Sequence, residues 1–228
     1  MPPTIHIACT KKLNLGLKNA ALQKGIDIQD AEIIETKSTI DDSILPYLTN
    51  KDYTFVFTSS KAVKYVQKYI ETNNLTVANN CFGLSGATLQ SLNETKFDTI
   101  NTADNAENLA EKIAETDHKL LVHFTAKDHR LELHSTLAKH NIGCKKCFVY
   151  TKTNTPKTFD AKDAALFFSP SQVDCFLLLN TIEPKTPVFV IGQTTANHLQ
   201  TKGFSNIVTA QKPTQEALMA SIYQYFKK

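Results

Sequence analysis

A partial self-repeat constrains this chain more than any single motif. The segment Phe57-Thr58-Ser59-Ser60-Lys61-Ala62-Val63 returns as Phe167-Phe168-Ser169-Pro170-Ser171-Gln172-Val173, sharing the frame F-x-S-x-x-x-V 110 residues apart. At a spacing of 109, Gly83, Ala87, Glu107, Leu109 and Ile113 recur as Gly192, Ala196, Glu216, Leu218 and Ile222. Ile5-His6-Ile7 is echoed by Val122-His123-Phe124, and each of these is followed by a helical stretch, a glycine (Gly25, Gly143) and a further strand-like run. Solenoid units run to roughly 20 to 50 residues. A period this long points instead to two similar lobes with a cleft between them.

Apolar runs rich in β-branched and aromatic residues fall at 5–9, 54–58, 81–84, 120–125, 165–169 and 188–191, with weaker ones near Ile100 and Ile207. They alternate with stretches whose apolar residues recur every three or four positions, such as Val63, Val66 and Ile70, or Leu218, Ile222 and Tyr225. That alternation predicts an α/β fold with parallel sheets. Asp104 with Glu107, and Ser171 with Asp174, have capping-box spacing. Gly25, Gly143 and Gly203 suit left-handed helix ends. Two further runs, 31–36 and 148–153, are followed by polar sequence and read as the hinge. The repeat order leaves open whether each lobe is continuous or exchanges its first unit with the other.

With 228 residues, of which 42% are hydrophobic, the chain suffices for one large core or two small ones. The net charge of +3 comes from scattered lysines balanced by 22 acids, which argues against nucleic acid as a partner. Arg130 is the only arginine, which restricts bidentate carboxylate clamps. The start Met1-Pro2-Pro3-Thr4 lacks the features of a secretory signal, and no apolar run reaches membrane-spanning length. The expectation is a cytoplasmic protein without membrane partners. The cysteines at 9, 81, 144, 147 and 175 are expected to be reduced thiols.

Several chemistries lack their signatures. There is no G-x-G-x-x-G and no G-x-x-x-x-G-K-[ST], and Gly83-Leu84-Ser85-Gly86 misplaces its serine for a nucleophile elbow. Cys144-Lys145-Lys146-Cys147 offers two of the four ligands a structural zinc requires, so no metal is expected. His129 and His134, five apart, diverge on a helix and read as solvated. What remains is rich in hydroxyls: Thr58, Ser59 and Ser60; Ser85, Gly86 and Thr88; Ser169, Pro170 and Ser171; and Gly192, Thr194 and Thr195. Each group stands where a strand hands over to a helix. Ligands bind at that edge of parallel sheets, and helix N-termini there attract anions. Any one group could be a plain N-cap; four groups paired by the repeat favour an anionic ligand.

These residues resemble the uroporphyrinogen-III synthase family. Ile191-Gly192-Gln193-Thr194-Thr195-Ala196 with Leu199 and Gly203 is similar to that family's I-G-x-T-T-A block, and Phe167 to Ser171 to its F-x-S-P-S block. Val149-Tyr150 resembles the hinge V-Y, and Pro213-Thr214 with Leu218 the last helix. Family members often carry Thr-Arg where this chain has Thr10-Lys11, and an arginine-rich segment of some relatives is reduced here to His129-Arg130.

The resemblance implies two flavodoxin-like parallel-sheet domains joined by a two-stranded linker, with the active site in the interdomain cleft. Residues 1–36 and 154–228 would form one discontinuous domain and 37–149 the other, with linker strands near 31–36 and 148–153. It implies that a monomer converts hydroxymethylbilane, a small-molecule substrate, into uroporphyrinogen III without a cofactor. Water is lost and ring D inverted, which makes the enzyme a hydro-lyase of haem biosynthesis. Tyr150 would assist the departing hydroxyl, and Lys11 with the hydroxyl groups named above would bind the substrate. The competing expectation is a non-enzymatic two-lobed protein binding a small anion.

Overall fold

The computed structural model describes residues 4–128, 131–161 and 163–227. Contacts divide the chain into two compact units, Met1–Glu35 with Thr153–Lys228, and Thr36–Lys152.

The first unit holds β1 (Ile5–Cys9), α1 (Leu15–Gln23) and β2 (Ile26–Asp30), then β9 (Ala164–Phe167), α7 (Pro170–Phe176), β10 (Val188–Val190), α8 (Gln193–Thr201), β11 (Ile207–Thr209) and α9 (Gln215–Phe226). Its sheet runs β11-β10-β9-β1-β2, and neighbouring strands pair in parallel throughout. The second unit holds α2 (Leu45–Thr49), β4 (Thr54–Phe57), α3 (Ser60–Thr72), β5 (Asn80–Leu84), α4 (Ala87–Leu92), β6 (Asp98–Ala103), α5 (Ala106–Ala114), β7 (Leu121–Ala126), α6 (Glu132–Lys139) and most of β8 (Cys144–Asn154). There the order is β3-β8-β7-β4-β5-β6, where β3 (Ile34–Ser38) and β8 are the neighbouring strands in which the chain passes between units. Setting β3 aside, β8-β7-β4-β5-β6 repeats the order β2-β1-β9-β10-β11 with the chain entering at a different strand. The second unit is thus a circular permutation of the first. The α/β class with two parallel-dominated sheets is as the alternation predicts.

Burial explains the strand sequences. β4, β7, β9 and β10 are buried at every position, as interior parallel strands covered by helices on both faces must be, so they read as continuous apolar runs. In the second unit, Phe55, Phe57 and Phe124 pack edge-on and stacked beneath α3, while Val56 and Phe82 meet Leu109, Ile113, Leu133 and Leu137 of α5 and α6 on the other face.

The repeat is structural only in part. Phe57 and Phe167 end equivalent strands, each followed two residues later by a serine that caps the next helix. Two other echoes are out of register. Ile7 faces the cluster of Ile26 and Leu218, whereas Phe124 faces that of Val63 and Val66, which corresponds to the opposite sheet face. An odd register offset moves a side chain to the other face, so the Ile-His-Ile match is coincidental. Gly83 lies within β5 opposite Phe57, but Gly192 comes after β10 and caps α8.

Helix ends bring three corrections. The cap of α5 is Asn105, which accepts from the Asn108 N–H at 2.8 Å, because the Asp104 carboxylate is taken by the Ser85 hydroxyl. The cap of α7 is Ser169 rather than Ser171, since Pro170 is pre-set for the first helical position and moves the start forward. Asp174 instead pairs with His198 and Lys202, each at 3.0 Å. After α6 the left-handed residue is Asn141, with φ 58°, and not Gly143; asparagine tolerates that region.

Candidate functional site

A parallel sheet binds ligands beyond the carboxyl ends of its strands, at the point where successive connections turn in opposite directions. In the second unit that point lies between β4 and β7, because β4 leads outward through β5 to β6 while β7 leads the other way to β8. The chain leaves β4 through Thr58 and Ser59 and enters α3 at Ser60, all three half-buried. Ser59, in extended backbone, accepts the Lys61 N–H at 3.2 Å. Its Oγ also lies 3.1 Å from the Tyr150 hydroxyl on β8.

Tyr150 pairs with Ala126 where the β7–β8 register shifts, and its ring stacks on Tyr65 with centroids 5.6 Å apart. The side chain is 4% exposed. Burial pushes the phenol above its ordinary value, and the Ser59 hydrogen bond offsets only part of that. Tyr150 is therefore a protonated donor at neutral pH.

Behind Thr58 stands a feature the sequence reading missed. Thr58 Oγ1 is 2.8 Å from Nε2 of His123, and Nδ1 of His123 is 3.0 Å from Nε2 of His134. His123 is 1% exposed. Its signal in the sequence was a histidine inside an otherwise apolar, wholly buried strand. His134, expected to be solvated, is half-buried and bonded to it; His129 and Arg130 lie outside the described residues.

One strand further, Ser85 and the exposed Gly86 precede α4. The Ser85 hydroxyl donates to the Asp104 carboxylate and the Ala103 carbonyl. Thr88 is buried.

In the first unit the corresponding point lies between β1 and β9. Buried Thr10 donates to the Leu166 carbonyl at 2.9 Å, and the half-buried Lys11 that follows holds its ammonium 5.6 Å from the Phe168 ring centre. Ser169 accepts the Gln172 N–H, Pro170 opens α7, and Ser171 is exposed in its first turn. Gly192 caps α8 through its backbone alone, with no side-chain cap bond. Neither threonine of the Thr-Thr pair is a cap: Thr194 points outward and Thr195 is 3% exposed.

The proposed site residues thus form two sets, each on the carboxyl edge of its own sheet: Lys11, Ser169, Pro170, Ser171, Gly192, Thr194 and Thr195 in one, and Thr58, Ser59, Ser60, Ser85, Gly86 and Tyr150 in the other. Helix starts, hydroxyls and a lysine suit carboxylates. Cys144 and Cys147 belong elsewhere. Three apart on a strand, they face opposite sides of the sheet, and burial lifts their thiols to about 12 and about 11. Among the described residues, no cluster of three or more His, Cys, Asp or Glu could hold a metal ion, and no helix is long and apolar enough to cross a membrane.

Comparison with known proteins bears on the fold and the family. The family model described as uroporphyrinogen-III synthase HemD matches residues 18–220. No curated protein sequence matches. The uroporphyrinogen-III synthetase of Helicobacter pylori superposes with a TM-score of 0.67 at 19% identity, covering 97% of this chain and 100% of the other. A mutant uroporphyrinogen III synthase from the extreme thermophile Thermus thermophilus gives 0.69 at 13% identity, with 98% of each chain covered. At these identities the structural likenesses speak for the fold, and the family model for membership.

Proposed function

The chain belongs to the uroporphyrinogen-III synthase family, and on that premise we propose that it closes hydroxymethylbilane to uroporphyrinogen III as a hydro-lyase, with Tyr150 as the group that meets the departing hydroxyl. The substrate's acetate and propionate arms are acceptors of hydrogen bonds. In the first unit Lys11, the start of α8 and the exposed hydroxyls of Ser171 and Thr194 are the donors suited to them, and in the second unit the start of α3.

The single observation that carries the reading is the Tyr150–Ser59 pair at 3.1 Å. The phenol is kept protonated by burial, yet its oxygen ends beside the first turn of a helix at the carboxyl edge of the sheet. As the C–O bond of the hydroxymethyl group breaks, the phenolic proton can pass to the leaving oxygen, giving water, an azafulvenium cation and the phenolate, which regains its proton when the closing ring releases one. General acid help of this kind contributes about 10² to 10⁴ in rate. The rest of the task is steering: unassisted closure gives the type I isomer, so the protein must hold the chain ends in the geometry that leads to type III. A purely binding role would not account for a family match across residues 18–220.

The test is isomer analysis after incubation with freshly generated hydroxymethylbilane. Type III in large excess over the protein-free control is expected; the control's ratio would overturn the proposal.

A further inference from the structure

We propose that Tyr65 is a positioning residue for Tyr150: its ring, pinned to β3 by its own hydroxyl, is the wall that holds the Tyr150 phenol on Ser59. This rests on the reading of Tyr150 as the group that meets the departing hydroxyl.

A phenol that hands over its proton must keep its O–H in one place. The torsion that turns a tyrosine ring is soft, so one hydrogen bond at the tip does not fix the side chain. Tyr150 is held at two points instead. Its hydroxyl lies 3.1 Å from Ser59 Oγ, and its ring stacks on that of Tyr65 with centroids 5.6 Å and planes 28° apart, within the range of a favourable aromatic pair. Ser59 caps α3 and Tyr65 stands in the second turn of the same helix. One helix therefore fixes both the tip and the face of the phenol.

Tyr65 is itself anchored. Its hydroxyl donates to the Thr36 carbonyl at 2.8 Å, with Thr36 Oγ1 3.0 Å away as a second acceptor. Thr36 belongs to β3, the neighbour of β8 in the sheet. A backbone carbonyl within a strand cannot swing as a side-chain acceptor can. Tyr65 thus bridges α3 and β3, and the Tyr150 ring lies against that bridge. All four residues belong to the second unit.

Filling space does not by itself ask for this arrangement. The buried face of α3 is made by Ala62, Val63, Val66 and Ile70, and Tyr65 is half-buried at its margin. Tyr69, one turn further on, supplies an internal comparison. It too is tethered through its hydroxyl, to the Asp42 carboxylate at 2.7 Å, but its ring is not stacked on Tyr150, which pairs with Tyr65. Losing the Tyr69 tether therefore removes a similar bond from the same helix without touching the phenol.

The experiment has two arms. In the kinetic arm, Tyr65→Leu should lower kcat for hydroxymethylbilane about 3- to 10-fold, the scale of one stacked pair, with KM near the parent's. Tyr65→Phe keeps the ring and loses the anchor, so it should fall between the two. Tyr69→Phe should match the parent. In a Tyr150→Phe background, Tyr65→Leu should lower the rate no further, because the two residues act as one unit. In the spectroscopic arm, carbon NMR of labelled tyrosine Cζ in the ligand-free protein follows the Tyr150 signal, identified by its loss in Tyr150→Phe. Tyr65→Leu should move it in the same direction as Ser59→Ala does, as the phenol leaves the serine, and Tyr69→Phe should leave it in place. Should Tyr65→Leu not fold, Tyr65→Phe carries both arms with a smaller change of the same sign. A folded Tyr65→Leu protein with an unmoved Tyr150 signal would overturn the proposal, as would a rate loss equally large with and without the Tyr150 hydroxyl. A preparation without synthase activity would contradict the function proposed above, and the Tyr150 signal would still decide whether Tyr65 holds the phenol.

Discussion

The hydroxyl of Tyr150 lies 3.1 Å from Ser59 Oγ, joining a residue of β8 to the cap of α3 across the intervening strand β7. One serine therefore serves two tasks: it satisfies the Lys61 N–H at the helix start and it orients the phenol.

Ser59→Ala should reveal both tasks. Loss of the cap should cost about 1 kcal/mol, read from denaturant midpoints. Turnover should fall as well, because the phenol is no longer held. Ser59→Thr keeps the oxygen and should restore most of each.

Two glycines should separate packing from binding. A Cβ on Gly83 would meet Leu92 Cδ1 at 2.5 Å in a core where Leu92 is 1% exposed, so Gly83→Ala should cost about 1 to 3 kcal/mol through overpacking. A Cβ on Gly192 meets nothing within 4 Å, and its φ of −174° suits any residue. Gly192→Ala should leave the melting temperature near the parent's while raising KM, since the methyl would stand where the helix start receives an anion. Equal stability losses in the two variants would count against that placement.

Thr194 and Thr195 are neighbours with opposite surroundings. Thr194→Val should raise KM with stability unchanged. Thr195→Val, at a 3% exposed position, should act on the melting temperature first. Swapped outcomes would mean that the inner hydroxyl is the one the substrate reaches.

Stability should fall in acid partly through Asp30. Burial raises its pKa, but the hydrogen bond from Lys18, the Leu13 N–H and the charges of Lys18 and Lys12 outweigh it, leaving the group below its ordinary 3.8. A depressed carboxylate contributes stability above its unfolded value and loses it as pH falls through the folded one. Asp30→Asn should therefore cost about 1 kcal/mol at neutral pH, one charge-assisted bond discounted for the solvent around Lys18, and the difference should shrink below about pH 4. Parallel stability curves across that range would show that the carboxylate's charge is immaterial.

How much of this was legible beforehand follows from the physics of each signal. Interior strands announce themselves because both faces are buried, so β4, β7 and β9 stand out as apolar runs. The F-x-S frame was readable because a cap serine must follow a buried strand end at a fixed distance. The Ile-His-Ile echo misled, since a chance match in composition says nothing about which face a strand presents. His123 escaped notice for a related reason: its partners, Thr58 and His134, are 65 and 11 residues away, and only the sheet order brings them together. Tyr150 was found through its resemblance to a family motif. Its tie to Ser59, 91 residues away, could not be read from either segment alone.

The most direct measurement is single-turnover kinetics of Tyr150→Phe with isomer analysis of the product. The change removes one hydroxyl and one 3.1 Å contact, so the variant should fold with a loss of about 1 kcal/mol or less. If Tyr150 assists departure of the hydroxyl while the rest of the site steers closure, the rate should drop by about 10² to 10⁴ and the product should remain mainly type III. A folded Tyr150→Phe protein that turns over at the parent rate would contradict the account.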